Sequence, residues 1–279
     1  SVSGVSQQIV AAWSFGAVTH LFLVPVALGA AFFVVPKASG APIVSGSFAR
    51  AMFWFYFLLA GFAVVAKVPS DLLPEWLAAT AASASILLLI PIGGFVYVLL
   101  ATAFRSSQLV GSPSLRFISF GCGALLVSAV LTAASALRSV DLLVHFTLFD
   151  AGVRAALVHI AVTMCLFGAI YYMMPRLSSC EWLSSSLISF HFLGAAYGSC
   201  MAAGMLLLSG AASGDAILEG GSSFTQVMEV GSSYYWGHSV SFILVLAGYA
   251  AFALHFLLMA LRIGQPAGEP TLLRGGSAH

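Results

Sequence analysis

Apolar residues run along this chain in blocks too long for a soluble core and too continuous for an amphipathic period. Seven stretches, near 8–35, 49–66, 76–104, 116–137, 143–174, 187–210 and 236–261, are dominated by apolar residues and hold few charges. A helix needs about 20 mostly apolar residues to cross a bilayer, so each block predicts one membrane-spanning helix. Proline and glycine punctuate the connections: Pro36-Lys37 with Pro42, Pro69 with Pro74, Pro113, Pro175-Arg176, and a Gly/Ser-rich stretch from 211 to 233 that reads as a long outer loop. The expected fold class is all-α, one polytopic membrane bundle over residues 1–263. The Gly/Pro-rich tail, 264–279, has no apolar period and is expected to be disordered.

Composition sharpens this picture by exclusion. Of the residues, 61% are hydrophobic and 7% charged, and mean hydropathy is +1.04. A soluble domain carries roughly 25% charged residues, so the bilayer is the solvent that fits. A net charge of +1 with scattered basic residues leaves no electrostatic footprint for nucleic acid. Cys122, Cys165, Cys180 and Cys200 lack metal-binding or redox spacing and read as small packing residues.

Because consecutive spans alternate in direction, the connections can be sorted by side. One side holds Lys37, Arg50, Arg105, Arg116, Arg176, Arg262 and Arg274, seven of the ten basic residues; the other holds Asp71, Glu75, Asp141, Asp215, Glu219 and Glu229, with Asp150 at a helix mouth. The positive-inside rule then puts the C-terminus in the cytoplasm and the N-terminus outside. An outward N-terminus without a charged leader implies a preceding segment, removed or carried elsewhere.

Polar groups inside a bilayer are costly and each is a functional candidate. His20 and His159 fall well inside two parallel helices at comparable depth, which allows a haem or metal site between them; the favoured reading of each is a neutral imidazole bonded to a neighbouring helix. His145, His191, His238 and His255 lie nearer helix ends, within reach of the interface. Asp150 and Arg154, four residues apart, share a helix face in the order favourable for an ion pair, expected to be buried. Pro25 and Pro91 predict kinks, the second followed by Ile-Gly-Gly that invites close approach of another backbone. No serine triad, paired carboxylates, phosphate loop or H-x-x-x-H spacing is present.

The strings FVVPKASGAP (33–42), PEW (74–76), SILLLIPIGG (85–94), RSVDLLVHFT (138–147), FGAIYYMMPRL (167–177) and SFHF (189–192) carry a resemblance. Together they resemble the C-terminal seven helices of catalytic subunit I of cbb3-type (C-family) haem-copper cytochrome c oxidases, over residues 13 to about 195, and more loosely over 234–261. The resemblance implies a subunit I-like half-bundle in a bacterial inner membrane and oxygen reduction at a haem-copper pair. Its ligand positions, however, are altered here. The copper histidine falls on Gly16, its cross-linked tyrosine on Ala60, the adjacent histidine pair on Ala66 and Lys67, and the haem-ligating His-x-His on Val153 and Ala155. Apolar replacements avoid leaving buried imidazoles unsatisfied, at about 1–3 kcal/mol each. His20 and His159 each lie one turn beyond a lost ligand position, Gly16 and Ala155.

The resulting expectation is a non-catalytic subunit, structural or for assembly, with no haem or metal of its own. It would sit beside a genuine subunit I and c-type cytochrome subunits of a respiratory complex, with haem b in its neighbours. Two alternatives stay open: a haem- or quinone-binding electron carrier using His20 and His159, and a channel along the kinked, charge-bearing helices.

Overall fold

The computed structural model describes residues 4–68, 73–105, 111–145, 147–220 and 223–263. The tail from Gly264, expected to be disordered, lies outside the described residues. Seven helices among the described residues are long and apolar enough to cross a membrane: span 1 (Ile9–Ser39), span 2 (Gly46–Ala66), span 3 (Glu75–Ala103), span 4 (Pro113–Ser135), span 5 (Phe149–Ser178), span 6 (Ser185–Leu218) and span 7 (Phe224–Ala260). In hydrocarbon every backbone N–H and C=O must find its partner within the protein, and helices supply these internally. The ends are closed by side chains and turns. Ser45 Oγ and Ser184 Oγ accept the backbone N–H of Phe48 and Leu187, and Gly40, at φ 67°, ends span 1 in the left-handed conformation.

Two hydrophobic clusters lie back to back. One draws on spans 1 to 5, with Val34, Tyr56, Phe95, Leu115 and Ile118 among its buried members. The other joins spans 4 and 5 to spans 6 and 7 through Phe117, Met164, Tyr171, Ile188 and Ala195, with Tyr249 and Phe252 packed against it. Spans 6 and 7 form a hairpin with an extensive mutual contact, docked mainly on the N-terminal part of span 5. The hairpin closes through glycine: a Cβ on Gly194 would come within 2.9 Å of the Leu244 carbonyl oxygen and 3.0 Å of Gly248 Cα. Small residues at a crossing let two backbones approach, which is how membrane helices gain packing energy without a hydrophobic driving force.

The stretch 211–233, expected as a loop, is corrected by the structure. Span 6 runs helically to Leu218, Gly220 turns the chain at φ 73°, and span 7 starts at Phe224. Gly214 and Gly231 there are contact residues and not turn residues. Gly210 lies against Phe149 and Gly214 against Leu143, where any side chain would collide with backbone. Gln226, read as part of the loop, is the third residue of a capping box: Ser223 N–H donates to its Oε1 at 2.7 Å and Ser223 Oγ accepts from Gln226 N–H.

Other breaks have local causes. Span 1 contains a π-helical turn, Val18–Leu23, immediately before Pro25. Span 3 is interrupted at Leu88, three residues ahead of Pro91. The backbone approach expected at Gly93-Gly94 is made instead by a side chain, since a Cβ on Gly94 would meet the Met52 side chain at 2.7 Å.

Candidate functional site

Of the positions that the resemblance assigns to metal and haem, Gly16, Ala60, Val153 and Ala155 are packed closed. Gly16 is buried against the end of span 2, so near that a Cβ would stand 3.1 Å from the Val64 carbonyl oxygen and 3.2 Å from Val64 Cγ1. Ala60, Val153 and Ala155 are buried, whereas Ala66 is exposed at the rim of a vestibule described below. Lys67 ends a 3-10 turn, Val64–Lys67, and its side chain lies outside the described residues. Glycine, alanine and valine offer no side-chain donor to iron or copper, and an imidazole at position 16 would run into Val64. Among the described residues, no group of three or more His, Cys, Asp or Glu is placed to hold a metal ion. These positions therefore do not fit a haem-copper pair.

Beside them lies a cavity of about 10 Å3, room for about one water, lined by His20, Tyr56, Ser85, Ser128, Thr132 and apolar neighbours. Its hydroxyls are mostly committed locally. Ser85 donates to Ala81 O at 2.9 Å, Ser128 to Leu125 O at 2.8 Å, and Thr132 to Ser128 O at 2.8 Å. Tyr56 reaches across from span 2 and donates to the His20 carbonyl at 2.8 Å. Chain geometry explains this bond. In the π turn Val24 N–H donates to Thr19 O, so the next donor in register for His20 O is residue 25, a proline without an N–H. Tyr56, fully buried, supplies the missing donor.

His20 and His159 occupy corresponding places. Each sits in a π-helical turn, Val18–Leu23 and Ala156–Val162, which touch each other, and Thr163 Oγ1 donates to the His159 carbonyl at 2.5 Å. The structure does not bring the imidazoles to one cavity: His20 lines the interior, while His159 is exposed.

A polar vestibule of about 410 Å3 opens on the face where spans 2 and 4 end and spans 3 and 5 begin, sharing Ser85 and Thr132 with the central cavity. Its walls carry Asp141, His145, Asp150 and Arg154. Arg154 pairs with Asp150, and Asp141 pairs with His145 Nδ1 at 3.1 Å. The Asp150–Arg154 pair forms across one helical turn, but at 37% and 41% side-chain exposure it belongs to the vestibule rim, not the interior. Helix 149–178 begins at this rim, so its first turn faces the open mouth. A half-exposed pair of this kind is worth about 0–1 kcal/mol.

His191 and His255, expected near the interface, are instead wholly buried. Aromatic neighbours cover both rings: Phe117, Phe167 and Phe252 stand around His191, and Trp182 stands beside His255. His191 Nδ1 shares a hydrogen bond with the Tyr171 hydroxyl at 2.8 Å, and His255 Nε2 accepts the Ser184 N–H at 3.2 Å. Trp182 Nε1 donates to Tyr171 O at 3.2 Å and its ring lies 4.9 Å from His255. His238, half-buried, donates from Nδ1 to Ala202 O at 3.0 Å. These bonds tie spans 5, 6 and 7 together.

Tyr56, Ser85, Ser128 and Thr132 were not singled out in the sequence. The Pro25 kink was the available signal, because it requires a donor from a facing helix.

Comparison with known proteins follows the same outline. The family model described as cytochrome c and quinol oxidase polypeptide I matches residues 2–244. The chain is 25% identical over 210 residues to the cbb3-type cytochrome c oxidase subunit CcoN1 of Stutzerimonas stutzeri, covering 75% of this chain and 44% of that protein. It is 25% identical over 215 residues to cytochrome c oxidase subunit 1 of Rhodobacter capsulatus, covering 75% of this chain and 40% of that protein. The chain thus spans less than half the length of these two relatives. With seven helices among the described residues long and apolar enough to cross a membrane, and a family match over most of its residues, this multi-pass membrane protein belongs to the cytochrome c and quinol oxidase polypeptide I family.

Proposed function

We propose that the chain is a non-catalytic structural or assembly subunit of a respiratory oxidase complex in a bacterial inner membrane, with its N-terminus periplasmic and its C-terminus cytoplasmic. It binds no haem or copper of its own and packs beside a genuine subunit I and c-type cytochrome subunits, whose haems carry the electrons. The observation that carries this reading is the contact of Gly16 with Val64, 3.1 Å from a virtual Cβ to the carbonyl oxygen, at a position where the family resemblance calls for a copper ligand. Helices that have closed over the ligand positions keep the frame and give up the chemistry. Purification of the tagged full-length chain from native membranes tests this. A haem-bearing oxidase subunit recovered in stoichiometric yield is expected; the chain recovered alone overturns the proposal.

A further inference from the structure

Spans 1 and 2 are consecutive, yet the second half of span 1 and span 2 barely touch. Each packs instead on the second half of span 3, and the space between them is a groove of about 540 Å3. Leu28, Tyr56 and Phe95 form its buried floor, and Phe32 and Phe53 flank it. Gly29 and Gly46 keep it open: a Cβ on either would meet nothing within 4 Å. The polar end of the groove is defined by Arg50, an exposed cation on its wall, and by Gly46, the first residue of span 2, whose helix N-terminus is a further site of positive potential. From Gly46 to Tyr56 the helix rises about 15 Å, which is half of a hydrocarbon core about 30 Å thick.

We infer that this groove binds an acidic phospholipid, with its phosphate at Arg50 and the start of span 2 and one acyl chain along the floor to Tyr56. The groove is apolar along the depth of one leaflet and cationic only at the interface, which is the order of chemistry in such a lipid. Arg50 shares its face with Lys37 and Arg105, at the ends of spans 1 and 3, so the local field favours anionic headgroups over zwitterionic ones. The inference is independent of whether the chain holds a cofactor.

Native mass spectrometry of the full-length chain, titrated with dioleoyl phosphatidylglycerol and separately with dioleoyl phosphatidylcholine, tests the assignment. Phosphatidylglycerol is expected to bind at least 10-fold more tightly, R50Q to abolish that preference, and G29L, whose side chain fills open space, to weaken both lipids several-fold. Equal binding of the two lipids by the unaltered chain overturns the inference, as does a preference that survives R50Q. Binding unchanged by G29L places the lipid elsewhere and likewise overturns it. Density for a partner's helix in the groove of the intact complex would replace the lipid with a subunit contact.

Discussion

At the scale of single residues, the interior is organised by what Pro25 withholds. A proline placed where a π turn expects a donor leaves the His20 carbonyl without its partner in the helix, and Tyr56 answers at 2.8 Å. Tyr56→Phe removes one hydroxyl and keeps the ring that packs 6.0 Å from Phe95. It is expected to lower stability in detergent by about 1–3 kcal/mol, the cost of an unsatisfied buried acceptor. Thermal unfolding monitored by circular dichroism reads this directly, and an unchanged midpoint contradicts the assigned role. The same scale shows what was legible beforehand. The Asp150–Arg154 pair followed from four-residue spacing alone, because one helical turn fixes which residues meet. Its exposure did not, because no spacing rule states how wide the mouth above it opens. His191 and His255 were misplaced for the converse reason: nearness to a helix end says nothing about which face a neighbouring helix covers.

At the scale of elements, the seven spans were readable because length and hydropathy suffice to predict a crossing. The ends of spans 6 and 7 were not, since Gly and Ser signal turns in water and close packing in membranes. Only the S-x-x-Q pattern at Ser223 to Gln226 distinguished a helix start from a loop. Two predictions follow from how these elements meet. Gly194→Leu introduces a side chain where even a Cβ stands 2.9 Å from the Leu244 carbonyl oxygen. It is expected to part the hairpin and speed hydrogen exchange along spans 6 and 7, leaving span 1 protected; protection unchanged in the hairpin contradicts the crossing. A milder change, Ser223→Ala, removes the capping oxygen and is expected to cost about 1 kcal/mol. Its signature is exchange several-fold faster at Gln226 and its neighbours, with the middle of span 7 unaffected.

At the scale of the whole molecule, the chain belongs to the family, and the positions that the resemblance assigns to metal and haem ligands carry Gly16, Ala60, Ala66, Lys67, Val153 and Ala155. Closure at Gly16 makes this more than a loss of donors, because restoring one imidazole would require spans 1 and 2 to move apart. The cavity lined by His20 and Tyr56, about 10 Å3, has room for about one water. Spans 6 and 7 dock on span 5, with the Tyr171–His191 bond tying span 5 to span 6 and the Ser184–His255 bond tying span 6 to span 7.

The central claim is tested most directly by counting iron and copper on this polypeptide. The full-length chain, expressed with ample haem and copper and purified free of other subunits, should be assayed by pyridine haemochrome spectroscopy and elemental analysis. The account predicts both at well below one per chain; one haem or one copper per chain, retained through purification, contradicts it.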